Sequence, residues 1–166
     1  MTLIRVDSAA RRLRFDGIEL DCEIGRGGAC PAADKREGDG CTPLGRWPLR
    51  GVLLRPGRVD PAGLKLPWRW IREGDGWSDD SADPAYNRPV RLPCSFSAES
   101  LWRSDDAYDV IVVLGHNDAP PAPGAGSAIF FHLHEGRPTA GCVAVAREDM
   151  LRLLPLLHPG DGMEIV

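Results

Sequence analysis

The sequence predicts a mainly β fold with one clear helix, and three observations carry that prediction. Nineteen glycines and fifteen prolines in 166 residues interrupt the chain too often for long helices, whose interiors tolerate neither residue. Between these breaks stand short runs of strand length, apolar throughout or alternating in polarity. Only one segment, near the C-terminus, spaces its apolar side chains as a helix does. The length fits a single domain over residues 1–166 with a core of its own.

Taken in order, residues 2–6 and 12–15 read as strands, and Asp16-Gly17 is a tight hairpin turn into a third strand over 18–24. Residues 46–55, with Trp47, Leu49, Val52 and Leu53, predict a further strand broken at Gly51, and 67–71 place Trp68 and Trp70 at alternate positions of another. The run 109–114 is continuously apolar, as a strand buried on both faces would be, and 127–134 predict a second such strand after the Pro/Gly-rich loop 115–126. In 147–154 apolar residues at 150, 153 and 154, continued at 157, predict an amphipathic helix that Pro155 kinks or ends. Residues 163–166 close the chain as a short strand. Two stretches rich in turn formers, 35–45 and 74–89, read as loops, the second carrying Asp79, Asp80 and Asp83.

Composition narrows the function classes. With 43% hydrophobic and 27% charged residues the chain is an ordinary globular one, which excludes wholesale disorder. A formal charge of −4, with arginines scattered among acids, gives no basic surface for nucleic acid. No stretch approaches the length of a membrane span, and the first residues lack the apolar region of an export signal. None of the five cysteines (Cys22, Cys30, Cys41, Cys94 and Cys142) stands in a C-x-x-C pair, so zinc-ribbon and thioredoxin motifs are absent. An odd count leaves at least one thiol free, and the simplest role of each is a small buried apolar residue.

Chemistry concentrates in 127–145. On a strand successive side chains alternate faces, so Ile129, Phe131 and Leu133 share the core face, and Phe130, His132 and His134 share the other. A turn at 135–138 brings Cys142 back to face the histidines. A thiol of ordinary pKa is a poor nucleophile at neutral pH. A neighbouring imidazole that takes its proton yields a thiolate–imidazolium pair competent for acyl transfer. Gly141 lets a substrate carbonyl approach the backbone N–H groups beside Cys142, an oxyanion site. Thr139 bonds the histidine or the substrate, or fixes the turn. His134 is the second candidate on the histidine face, and Tyr86 and Asn87 are candidates for a substrate groove. A zinc site of His132, His134 and Cys142 is the competing reading, and it lacks a fourth ligand. His116 and His158 read as structural, Lys35, Asp39 and Thr42 as turn chemistry, and the tryptophans as packing.

The stretch Gly126-Ser-Ala-Ile-Phe-Phe-His132 followed by Pro138-Thr-Ala-Gly-Cys142-Val-Ala resembles the signature of the L,D-transpeptidase (YkuD-like) catalytic domain family. Segments 35–45, 86–93, 101–105 and 108–118 are similar to that family in the same order, so the resemblance runs from about Cys22 onward. It implies a β-sandwich with one or more short helices and no cofactor. The implied activity is transfer of an acyl group from peptidoglycan stem peptides, through a cysteine thioester, to an amine or to water. Cys142 would be the nucleophile, His132 the base and Gly141 part of the oxyanion site. With the same dyad an L,D-carboxypeptidase or other cysteine amidase is the alternative enzyme, and a catalytically silent cell-wall-binding module the alternative from another class. The resemblance places the protein in the bacterial cell envelope or periplasm, although no export signal is visible. Only nine residues separate His132 from Cys142, fewer than in the best-known members. Where the family usually carries an arginine two residues after the cysteine this chain has Ala144, with Arg137 or Arg147 as substitutes for holding a substrate carboxylate.

Overall fold

The computed structural model describes residues 1–166. The chain opens with an antiparallel meander of β1 (Leu3–Asp7), β2 (Arg12–Phe15) and β3 (Ile18–Asp21). Alternation sets its faces: Ile4, Val6, Leu13 and Phe15 are buried, whereas Arg5 and Arg14 face solvent. Asp16 and Gly17 both adopt positive φ, the backbone that a two-residue hairpin turn of this type requires.

After β4 (Ala29–Pro31) and a 3-10 turn over Ala32–Asp34 comes β5 (Thr42–Leu54), thirteen residues long. Its first part pairs with β13 (Gly162–Ile165) and its second with β10 (Val110–Leu114), so one strand serves two halves of the large sheet. The predicted break at Gly51 is absent. The irregularity lies one residue earlier, where Gly51 pairs with Val113 and Leu49 with Leu114, leaving Arg50 as the extra residue. β6 (Trp68–Trp70) lies parallel to β5. Beyond β10 the sheet continues through β11 (Phe130–Leu133) to β12 (Val143–Val145), giving the order β12-β11-β10-β5-β13-β1-β2-β3. A small separate sheet holds β8 (Pro89–Arg91), β7 (Asp75–Ser78) and β9 (Ala98–Ser100).

The two halves of the large sheet face one another across a shared core. Ile4, Val6, Leu13 and Phe15 pack there with Val112, Phe131, Leu133 and Val143, joined by Met150 and Leu153 of α1 (Arg147–Leu153). The opposite face of β10 and β11 is buried as well, with Ile111, Phe130 and Cys142 packing beside Trp77 of β7 and Leu101. Burial on both faces accounts for the unbroken apolar runs. The fold is thus mainly β with a single short helix, as the sequence predicts. Pro155 ends α1, and a 3-10 turn over Leu154–Leu156 follows. No helix is long and apolar enough to cross a membrane.

Three departures from the sequence reading bear on the site. The stretch 74–89 is not simply a loop, because β7 begins at Asp75. β11 starts at Phe130 rather than at 127, because Ala128 sits at φ 53 and breaks the extended run. The chain that returns after 135–138 forms a strand the sequence reading did not include: β12 runs parallel to β11, pairing Phe131 with Val143 and His132 with Ala144. The outer edge of β12 is closed by Glu23, which exchanges both backbone hydrogen bonds with Ala144.

Candidate active site

Parallel pairing decides which groups meet. Val143 and Val145 enter the shared core with Phe131 and Leu133, so Cys142 falls on the opposite face, with Phe130 and His132. Cys142 Sγ donates to Ala128 O at 3.3 Å and accepts from Phe130 N–H at 3.4 Å. No hydrogen bond joins it to the imidazole. Burial pushes the thiol up to about 12, which keeps it protonated at rest. His132 is buried too, and burial holds its pKa below the usual histidine value. Its Nδ1 lies 2.8 Å from Leu133 O. Because a carbonyl only accepts, Nδ1 carries the proton and Nε2 keeps a free lone pair. The resting pair is therefore a neutral thiol and a neutral imidazole, not the thiolate–imidazolium pair expected from sequence.

The turn into Cys142 is built by Thr139 and Gly141. Thr139 Oγ1 donates to Cys142 O at 2.7 Å and accepts from Gly141 N–H at 3.1 Å. With its proton and one lone pair engaged inside the turn, Thr139 fixes the turn and has no proton left to donate to substrate or histidine. The Gly141 N–H is occupied by the same contact, whereas the Cys142 N–H makes no hydrogen bond within the protein. Gly141 acts through its backbone: φ is 141°, and a Cβ there would stand 3.0 Å from Cys41 O. Gly25 is more tightly enclosed, since a Cβ on it would lie 2.1 Å from Gly40 O. These close approaches press the segments around 25, 40 and 141 into one floor.

Tyr86 and Asn87 are corrections. Both are buried behind the site and line no cavity at Cys142. Asn87 Oδ1 accepts from Trp77 Nε1 at 2.8 Å and from Ala128 N–H at 3.0 Å, while Nδ2 donates to His116 O and Asn117 O. All its hydrogen-bonding capacity is thereby used. It holds Ala128 in the left-handed conformation that aims the Ala128 carbonyl at the Cys142 thiol. Tyr86 OH donates to Glu37 at 2.7 Å and accepts from Gly126 N–H at 3.0 Å, tying two loops together.

A cavity of about 530 Å³ opens over Cys142, His132, Thr139 and Gly141. Its rim and walls carry Arg26, Lys35, Glu37, Glu99, Arg103, Tyr108, Glu135 and Arg137. Of these, only Arg137 was a site candidate by sequence. Lys35 and Glu37 stand in the loop 35–45, and Tyr108 just before the apolar run of β10, so their motifs were visible though their roles were not. Arg103 stands in the 101–105 segment that resembles the family, whereas Glu99 comes from a segment with no local pattern, and only the assembled sheet brings it in. The Tyr108 ring meets His132 edge-on at 5.3 Å between centroids. Its hydroxyl donates to Glu99, whose carboxyl burial pushes up.

His134 is a further correction. It lies past the end of β11, is exposed, and turns toward Glu23, with Nε2 3.6 Å from the carboxylate and Nδ1 accepting from Gly136 N–H. It does not line the cavity, because its ring is drawn outward to Glu23 and to the Gly136 N–H of the turn that follows β11. His132, His134 and Cys142 consequently do not converge on a common point, and the zinc arrangement does not fit. Asp39 also clusters with Cys30 and Cys41, but the two sulfurs form a disulfide and Asp39 pairs with Lys35. Arg147 is committed to Asp109 at 2.8 Å and to Arg58 O, away from the cavity. Arg137 stands at the rim, largely exposed, with only a 3.9 Å contact to Glu135. His116 packs edge-on against Trp47, outside the cavity.

Comparison with known proteins bears on this geometry. No curated protein sequence matches the chain. Among solved structures it is similar to a variant of Enterococcus faecium L,D-transpeptidase, with 13% identity and a TM-score of 0.47. It is also similar to Bd1075 of Bdellovibrio bacteriovorus, with 16% identity and a TM-score of 0.49. Each alignment covers 99% of this chain, against 49% of the first and 47% of the second, so the chain spans about half the length of those it matches. The model of the L,D-transpeptidase catalytic domain (YkuD) family matches residues 1–165, reaching further toward the N-terminus than the sequence motifs alone suggest. The chain belongs to the L,D-transpeptidase catalytic domain (YkuD) family.

Proposed function

We propose that the protein is a cysteine-dependent L,D-transpeptidase of the cell envelope that acts on peptidoglycan stem peptides through a thioester on Cys142. The observation that carries this reading is the cavity in which Cys142, an imidazole with a free Nε2 and an unpaired backbone N–H meet. As the donor carbonyl enters, His132 Nε2 takes the thiol proton and Sγ attacks. The Cys142 N–H stabilises the oxyanion, and His132 returns the proton to the leaving amine. A neutral imidazole suits this sequence, because it must first accept a proton. Ala144 is buried opposite His132 and cannot serve as an anion site. Arg137 and Arg26 take that role: Arg26 makes only a 3.5 Å contact to Gly38 O, so both guanidiniums at the rim are available to a donor carboxylate.

The test is mass spectrometry of the protein incubated with a tetrapeptide-containing muropeptide or a carbapenem. An acyl adduct on Cys142 is expected in the wild type and not in Cys142→Ala, and identical behaviour of the two would overturn the mechanism. The hydrolytic alternative shares every step up to the thioester, so product analysis with an added amine separates it. A binding module without turnover would form no adduct at all.

A further inference from the structure

We propose that Glu99 receives the acceptor: it binds the ammonium group of the incoming amine and takes its first proton, and so directs the thioester toward transfer rather than hydrolysis. The inference rests on the reading of Cys142 as the acylated nucleophile.

Three carboxylates line the cavity. Glu37 is tied to the loops behind the site, its Oε1 accepting from the hydroxyls of Tyr86, at 2.7 Å, and Ser127, at 2.5 Å. Glu135 is paired with Arg103 at 2.5 Å. Glu99 bonds the group that touches the imidazole: its Oε1 accepts from Tyr108 OH, whose ring meets His132, while its Oε2 makes neither a hydrogen bond nor an ion pair. Arg103 makes no ion pair with it, and its charge offsets only part of the burial. That guanidinium lies over the Tyr108 ring at 4.9 Å and is shared between Asp105 and Glu135. A carboxylate withdrawn from water without a cation is costly, and an ammonium ion offsets that cost. Glu99 is also held in place by the β9–β7 ladder, where it pairs with Trp77, so it is presented by a strand and not by a mobile loop. Through Tyr108 it adjoins His132, the group that must act next.

The proton count closes. The acceptor enters as R–NH₃⁺ and gives one proton to the Glu99 carboxylate, leaving a neutral amine. The amine nitrogen attacks the thioester carbonyl, forming a C–N bond. Neutral His132 takes the second nitrogen proton as the tetrahedral adduct collapses. The C–S bond breaks, and His132 returns that proton to the departing Cys142 sulfur. Glu99 then releases its proton to solvent. Water carries no charge and forms no ion pair with Glu99, so the carboxylate favours binding of an ammonium acceptor over water, and that is the source of the bias. Burial that raises the Glu99 carboxyl makes it a better proton acceptor for this step.

The experiment uses a stem tetrapeptide as both donor and acceptor, and compares cross-linked dimer with hydrolysed tripeptide per Cys142 adduct formed. In Glu99→Gln the dimer-to-tripeptide ratio is expected to fall about a hundredfold, the range in which a positioned proton acceptor acts. Glu99→Asp keeps the charge and should recover part of the loss, which separates chemistry from altered packing. An unchanged ratio in Glu99→Gln, or a wild type that forms the adduct and yields only tripeptide, overturns the proposal while leaving the nucleophile intact. A wild type that forms no adduct removes the underlying reading instead.

Discussion

Alkylation of Cys142 without donor present tests the resting state of the site. Its thiol is buried, donates to a backbone carbonyl and makes no hydrogen bond to the imidazole; burial carries its pKa from an ordinary 9.0 to about 12. A displacement of about three units corresponds to about 4 kcal/mol, and to a thiolate population roughly a thousandfold smaller than that of an ordinary thiol. Because the thiolate is the species that reacts, iodoacetamide at pH 8 should label Cys142 roughly a thousandfold more slowly than a free cysteine. The rate should then rise about tenfold per pH unit, since each unit multiplies the thiolate population by that factor. Peptide-resolved mass spectrometry reads the rates, and Cys94, which is exposed, should label first in the same sample. Fast labelling of Cys142 at pH 6 would refute the reasoning, because it would require a thiolate–imidazolium pair formed before substrate arrives.

Two further expectations follow from the same neighbourhood. Burial lowers the His132 pKa, so the imidazole stays neutral, and competent as a base, below the pH at which a free histidine protonates. The acidic limb of the pH profile for adduct formation should thus fall below the ordinary histidine value of 6.5, and a limb above it would contradict the assigned environment. His132→Ala should slow adduct formation by about 10²–10⁴-fold, as loss of a general base does. Asn87→Ala leaves the Trp77 and Ala128 donors buried without acceptors and places an alanine at φ 55. Together these should cost about 4 kcal/mol in urea unfolding, and a loss below about 1 kcal/mol would show that the hub is not structural.

The parts of the fold legible in the sequence are those whose signal is local. The β1–β3 meander announces itself by alternation and by Asp16-Gly17, and β10 and β11 by apolar runs that only a doubly buried strand sustains. The helix ends where Pro155 demands it. The strands that escaped notice are β4, β7, β8, β9 and β12, each three or four residues long. Asp75-Gly-Trp-Ser and Ala98-Glu-Ser carry no periodicity, and partners far away in sequence hold them extended. The site divides in the same way. Cys142, His132 and Gly141 stand in one contiguous motif and are brought to one cavity. Tyr86 and Asn87 stand in an equally suggestive motif, yet serve it from behind, because a polar side chain that saturates buried backbone looks the same in sequence as one that touches a ligand. Glu99 lies at the opposite extreme, a single acid in a short strand that tertiary structure alone delivers to the thiol.

The parallel β11–β12 ladder has a mechanical consequence. His132 and Cys142 owe their relative placement to slanted backbone hydrogen bonds, to the core behind Phe131 and Val143, and to Leu133, Thr139 and Gly141 at the two ends of the connection between them. Its middle, residues 135–138, instead displays Glu135, Arg137 and Pro138 at the cavity mouth. That middle therefore works as an interchangeable cassette: its length and charges can be rewritten while the anchored ends keep the geometry of the pair. In this domain, what is recognised and how it reacts are separately adjustable.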